Sequence, residues 1–141
     1  MFDYTERTYT GENVSTEIFD LDLSFAIHPL SKDIRKKSGI EAIKQSIRVL
    51  CLLNHYEKFF HPDIGTDIYK SLFEPIHDVT TRNLMAKNIK DMIKLYEPRA
   101  TNINVQIQAI EDENALNITV WFTPEQEINQ VSVSLFLHIL R

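Results

Sequence analysis

A chain of 141 residues with 43% hydrophobic and 25% charged residues has the size and composition of one globular domain with a real core. Its net charge of -5 argues against non-specific nucleic-acid binding, which needs a cationic surface to displace counterions. No apolar run approaches the roughly 18 residues that would span a membrane, and the Met-Phe-Asp-Tyr-Thr-Glu start lacks the basic-then-apolar order of a secretory signal.

The first twenty residues are polar with scattered aromatics (Phe2, Tyr4, Tyr9) and read as an arm, residues 1–20, ahead of a domain over 21–141. From Leu21 a period of two appears: Leu21, Leu23, Phe25 and Ile27 alternate with Asp22, Ser24 and Ala26. This predicts a short extended segment with one buried edge, stopped at Pro29. The basic cluster Lys32, Arg35, Lys36 and Lys37 reads as a solvated face.

Ser38 and Glu41 have the spacing of a capping box. Ile40, Ile43, Ile47, Leu50 and Cys51 then recur at three and four, which predicts a helix with one apolar stripe ending near Asn54. Cys51 is the only cysteine. Its apolar setting suits a small core residue made in a reducing compartment, not a catalytic thiol. His55 to Gly65 reads as a structured loop in which Gly65 permits a turn other residues resist. A short helix from Asp67 places Ile68, Leu72 and Phe73 on one side and closes at Glu74-Pro75. Phe59, Phe60 and Phe73 are expected to plug the end of a helix pair.

A second long helix, capped by Thr80 or Thr81, carries Met85, Ile89, Met92, Ile93 and Tyr96 and stops before Pro98. The period then changes to two. Ile103, Val105, Ile107 and Ala109 form a one-sided strand; a polar turn follows at Glu111 to Asn114. Leu116, Ile118, Val120 and Phe122 share the face of the next strand. The last strand runs Val131, Val133, Leu135, Leu137, Ile139, and its other face ends in Phe136, His138 and Leu140. A strand apolar on both faces is either covered by its own domain's helices or pairs with another chain. The fold class is α+β, an N-terminal extended segment and helices packed on a C-terminal antiparallel meander.

The candidate chemistry is thin. Glu57 with Asp67, or Asp67 with Glu74, could be nominated as a carboxylate pair, but no spacing selects either. His55, His61, Asp63 and His77 match no helical metal-ligand spacing. There is no glycine-rich phosphate loop and no nucleophile elbow, so no catalytic, metal or cofactor residue is assigned. The remaining feature is Glu97-Pro98-Arg99. A proline-stopped helix presents Arg99 on a rigid corner, where its planar fork can hold a carboxylate of this chain or of a partner.

Three segments occur in order: Ile43-Lys-Gln-Ser46-Ile47, then Glu57-Lys58-Phe59-Phe60-His61-Pro62-Asp63-Ile64-Gly65 through Phe73-Glu74-Pro75, then Tyr96-Glu97-Pro98-Arg99. Together they resemble the lysozyme-like baseplate wedge family of contractile-tailed phages and type VI secretion baseplates. Tyr56, Lys58 and Ile64 depart from that pattern, where a glycine, an arginine and an aromatic are usual.

The resemblance implies a structural, non-enzymatic subunit of the virion tail baseplate, assembled in the host cytoplasm, with six copies per ring. It implies that Glu97, Pro98 and Arg99 contact the core bundle of the larger wedge proteins. It also implies that the last strand, through Val133, Ser134, Leu135, Phe136, Leu137 and His138, pairs with the tail sheath and starts its polymerisation. Tube or hub proteins are further expected contacts. The alternatives are a peptidoglycan hydrolase, which the family's label suggests, and a regulatory adaptor of the same fold.

Overall fold

The computed structural model describes residues 19–71, 78–110, 115–125 and 127–138. The chain divides into two compact units, Met1–Gly39 and Ile40–Arg141. The expected arm lies almost wholly outside the described residues, as do Leu72, Phe73, Glu74, His77 and the turn at 111–114.

In the first unit, β1 (Phe19–Leu21) pairs antiparallel with β2 (Lys36–Ser38). Backbone bonds continue the pairing loosely: Asp22 N donates to Arg35 O at 2.9 Å and Arg35 N to Ala26 O at 3.0 Å, and Ile27 bridges Ile34. The predicted buried edge is not found. Leu21, Leu23, Phe25 and Ile27 are 50–66% exposed, and the buried side chain is Asp22 instead. The alternation fails because the chain turns: Phe25 N donates to Asp22 O at 3.0 Å, and Phe25 adopts φ 52. The Asp22 carboxylate accepts from Ser24 N at 3.0 Å and pairs with Lys37 Nζ at 3.2 Å. These bonds, led by the one from the Ser24 amide, hold its pKa below the usual aspartate range. Lys32, Arg35 and Lys36 of the basic cluster are exposed.

The second unit holds α1 (Gly39–Leu52), α2 (Ile68–Ser71), α3 (Val79–Tyr96) and a meander of β3 (Ala100–Ile110), β4 (Ala115–Pro124) and β5 (Val131–His138). Gly39, at φ 56 with open space where a Cβ would stand, supplies the left-handed step that starts α1. Glu41 is placed in the first turn, where its charge suits the helix dipole, and it binds Lys44 at 2.8 Å. Helix α3 begins one to two residues before the predicted caps. Asp78 is the N-cap and accepts from Thr80 N at 3.2 Å, while Thr81 Oγ1 donates to the same carboxylate. The aspartate wins because its side chain reaches the free amides of the first turn.

The strands pair in the order β3-β4-β5, all antiparallel. The period-two reading holds in each. Leu116, Ile118, Val120 and Phe122 are fully buried, with Ile103, Val133, Leu135 and Leu137 beside them. Against this face lie Ile43, Ile47 and Cys51 of α1, Ile68 of α2, and Met85, Ile89 and Ile93 of α3. One apolar layer therefore joins both long helices to one face of the sheet. The other face carries Asn104, Gln106, Ser132 and Ser134, all exposed, together with half-buried Trp121.

Candidate functional site

The corner is built by α3. Its buried stripe fixes the helix's rotation on the sheet, and Pro98 forces the stop. Glu97 is the C-cap and donates its N–H to Ile93 O at 2.8 Å. Its carbonyl accepts from Ala100 N at 3.1 Å, so the chain enters β3 within three residues. Arg99 O accepts from Glu125 N at 2.9 Å, which ties the corner to the end of β4.

The Arg99 fork is filled from within the chain. Nε and Nη2 donate to Glu97 Oε1 and Oε2 at 2.5 and 2.8 Å, a bidentate pair. Glu97 is 2% exposed. Burial alone would raise its pKa, but the Arg99 guanidinium and a hydrogen bond from Ser46 outweigh that and hold it below the ordinary glutamate range. Of the two options left open by the sequence, the carboxylate is thus this chain's own. Pro98 is exposed and Arg99 half-buried, so what faces outward is the proline and the flank of a neutralised guanidinium.

Ser46 was not among the expected site residues, yet it joins the first motif to the third. A signal for it exists in the sequence: it falls three residues after Ile43 and four before Leu50, a polar residue on the apolar stripe of α1.

All six expected sheath-pairing residues lie on β5. Their side chains divide: Val133, Leu135 and Leu137 are buried in the core, while Ser134, Phe136 and His138 are exposed. The Phe136 and His138 rings meet edge-on at 5.4 Å. Among the described residues β5 pairs with β4 alone, and no helix covers its outer face.

The middle segment departs from expectation. Phe59 and Phe60 plug nothing: they are 96% and 92% exposed. The residues that seat the loop are Ile64 and Ile68, both buried. Gly65 matters for space, not for an unusual φ. A Cβ on it would lie 2.2 Å from His55 N and 2.5 Å from Asn54 C.

Of the nominated acids, Glu57 and Asp67 are among the described residues, and both are occupied. Glu57 accepts from Asn54 N and Nδ2 at 2.9 and 2.8 Å, and those bonds lower its pKa. Asp67 is desolvated, yet bonds from the His55 amide and ring and from Lys70 bring its pKa down as well. Neither is tuned as a proton donor, which would require a raised value. His55 Nδ1 lies 2.7 Å from Asp67 Oδ2, so its ring serves the loop. Cys51 is fully buried, and burial pushes its thiol up to about 12; it is not a nucleophile.

Two helices packed on one face of a three-stranded meander form a fold shared with several solved structures. A chain of the type VI secretion system baseplate complex superposes with TM-score 0.61 at 13% identity, over 72% of this chain and 94% of that one. A chain of the anti-feeding prophage baseplate gives 0.59 at 20% identity, over 87% and 86%. A candidate tail lysozyme from Geobacter sulfurreducens gives 0.58 at 20% identity, over 72% and 91%. The chain belongs to the family of baseplate wedge protein gp25, whose pattern matches residues 37–129. It is 25% identical to baseplate wedge protein gp25 of Enterobacteria phage T4 over 108 residues, 74% of this chain and 81% of that protein.

Proposed function

We propose that this chain is a structural, non-enzymatic wedge subunit of a contractile-tail baseplate. Residues 1–20 form an arm, and the domain from residue 21 onward docks on the core bundle of the larger wedge proteins. Docking runs through the corner at Glu97, Pro98 and Arg99, and β5 offers its free edge to the tail sheath. The observation that carries the second role is the outward side of β5, where Ser134, Phe136 and His138 are exposed beside a backbone edge. An edge strand of this kind is a ready template for another chain's strand. The core assignments of Val133, Leu135 and Leu137 limit their part to main-chain pairing.

Membership of the family supports a place in the virion baseplate. The six-fold symmetrised anti-feeding prophage baseplate, which contains a similar chain, supports six copies per ring. Tube and hub proteins are secondary neighbours in this arrangement.

Deleting residues from Ser134 onward is a poor test, because it strips Leu135 and Leu137 from the core. Phe136→Lys is better: a lysine on an exposed edge position disfavours strand addition without touching the core. Particles carrying it should have baseplates without sheath, while the purified protein melts as the parent does. Full-length sheath on such particles would refute the templating role. A peptidoglycan clearing assay tests the non-enzymatic reading; robust clearing abolished by Glu57→Gln or Asp67→Asn would overturn it.

A further inference from the structure

Strand β3 is the other edge of the meander, and among the described residues it pairs with β4 alone. Edge strands are commonly blunted by charged residues or proline. Ala100–Ile110 carries neither, and its irregularity, between Thr101 and Asn104, leaves the register unbroken from Asn104 to Ile110. Beside that regular stretch a groove of about 510 Å³ lies between β3 and the first half of α3. Six successive β3 residues, Val105 to Ile110, line it. Successive side chains of a strand point to opposite faces, so a groove that meets all six runs along the backbone edge.

Val79 and Ala86 of α3 and Val105, Ile107 and Ala109 of β3 make its walls apolar, and none of them is fully buried. The charged residue in the lining is Arg82, which is half-buried. Its guanidinium makes no ion pair among the described residues. The acid one turn away, Asp78, spends its carboxylate on Thr80 N and Thr81 Oγ1. Arg82 thus differs from Arg99, whose charge Glu97 neutralises. The rest of α3 adds to the positive side: Lys87, Lys90 and Lys94 stand with Arg82 against Asp91. A guanidinium drawn partly out of water beside apolar walls gains most from a carboxylate, which its planar fork can hold bidentately.

We propose that the α3–β3 groove binds an extended acidic segment of a partner protein, which adds a strand to the free edge of β3 and sets a carboxylate on Arg82. Strand addition supplies the main-chain hydrogen bonds, and the groove reads the side chains. A second copy of this chain fits less well, because β3, β4 and β5 contain no Asp or Glu and bring Arg82 no carboxylate. The site is separate from the corner and from β5, and it holds independently of the baseplate reading.

The test uses the purified full chain and two peptide probes: one of alternating valine and threonine with a central glutamate, and its glutamine twin. On titration the backbone amide NMR signals of Val105 to Ile110 should shift, and the glutamate peptide should bind about tenfold tighter or more, the scale of one charge-assisted hydrogen bond. Arg82→Gln should erase that preference, and Arg82→Lys should keep part of it. Ala86→Phe, which fills the groove from α3, should weaken both peptides; the melting temperature of Arg82→Gln should match the parent's. Equal affinity of the two peptides for the parent protein, or shifts confined to Val131–His138, would overturn the inference. So would a dimer of the parent protein that either peptide dissociates, which would give the edge to a second copy. Tighter binding of the glutamate peptide after Glu111→Gln/Asp112→Asn/Glu113→Gln would assign Arg82 to the chain's own turn and overturn it as well.

Discussion

At the corner, the ion pair decides what substitutions can mean. Arg99→Ala strands a carboxylate that is 2% exposed. Breaking a buried pair on one side costs about 3–5 kcal/mol, and the low end applies because Arg99 is partly open to water. The expected result is a lower denaturation midpoint for Arg99→Ala, and Pro98 is the better place to probe contact. The same pair predicts acid sensitivity. Glu97 has a folded pKa below its ordinary 4.5, so its contribution is full above that value and is lost as pH falls through the folded pKa. Denaturant titrations at successive pH values below about 4.5 should show Glu97→Gln losing less stability on acidification than the parent. Gly65→Ala has nowhere to put its methyl carbon, with backbone 2.2 Å away. It should destabilise by at least about 1–3 kcal/mol, measurable as a fall in melting temperature.

Among the elements, β4 is central and β5 peripheral, and their mutational responses should differ accordingly. Phe122→Ala empties a fully buried site in the middle of the sheet and is expected to cost about 3–5 kcal/mol in a chemical melt. Asp78→Ala removes the N-cap of α3 and should cost about 1 kcal/mol. Asp78 caps the helix in place of Thr80 or Thr81; both residue types satisfy first-turn amides, and the sequence does not say which begins the helix. The strand faces were legible throughout, since a period of two admits only two registers and burial selects one. The Leu21–Ile27 alternation misled for the same reason: periodicity reports a pattern, and here the chain bends at Phe25 before any sheet covers it.

For the whole molecule, every residue of the apolar core cluster lies beyond Gly39. A fragment spanning Gly39–Arg141 should therefore keep a cooperative thermal transition by circular dichroism; a broad, non-cooperative melt would show that the first unit is needed for folding. The three separated motifs have a common sense at this scale. Ser46 of α1 meets Glu97 after α3, and the segment around Gly65 packs its backbone against the residues that follow α1, so each motif abuts α1 or its end.

The sequence by itself determined the class of fold, the two long helices, the inward face of each strand of the meander, the stop at Pro98 and the core role of Cys51. These follow from local periodicity and from backbone chemistry that neighbours along the chain impose. Only the tertiary structure decided that Arg99 is spent on Glu97, that Ser46 completes that site and that Gly65 is required for closeness. It alone turned Phe59 and Phe60 outward and left the outer face of β5 open. Those outcomes depend on which distant groups compete for the same donor, pocket or surface, and spacing along a chain does not encode that competition.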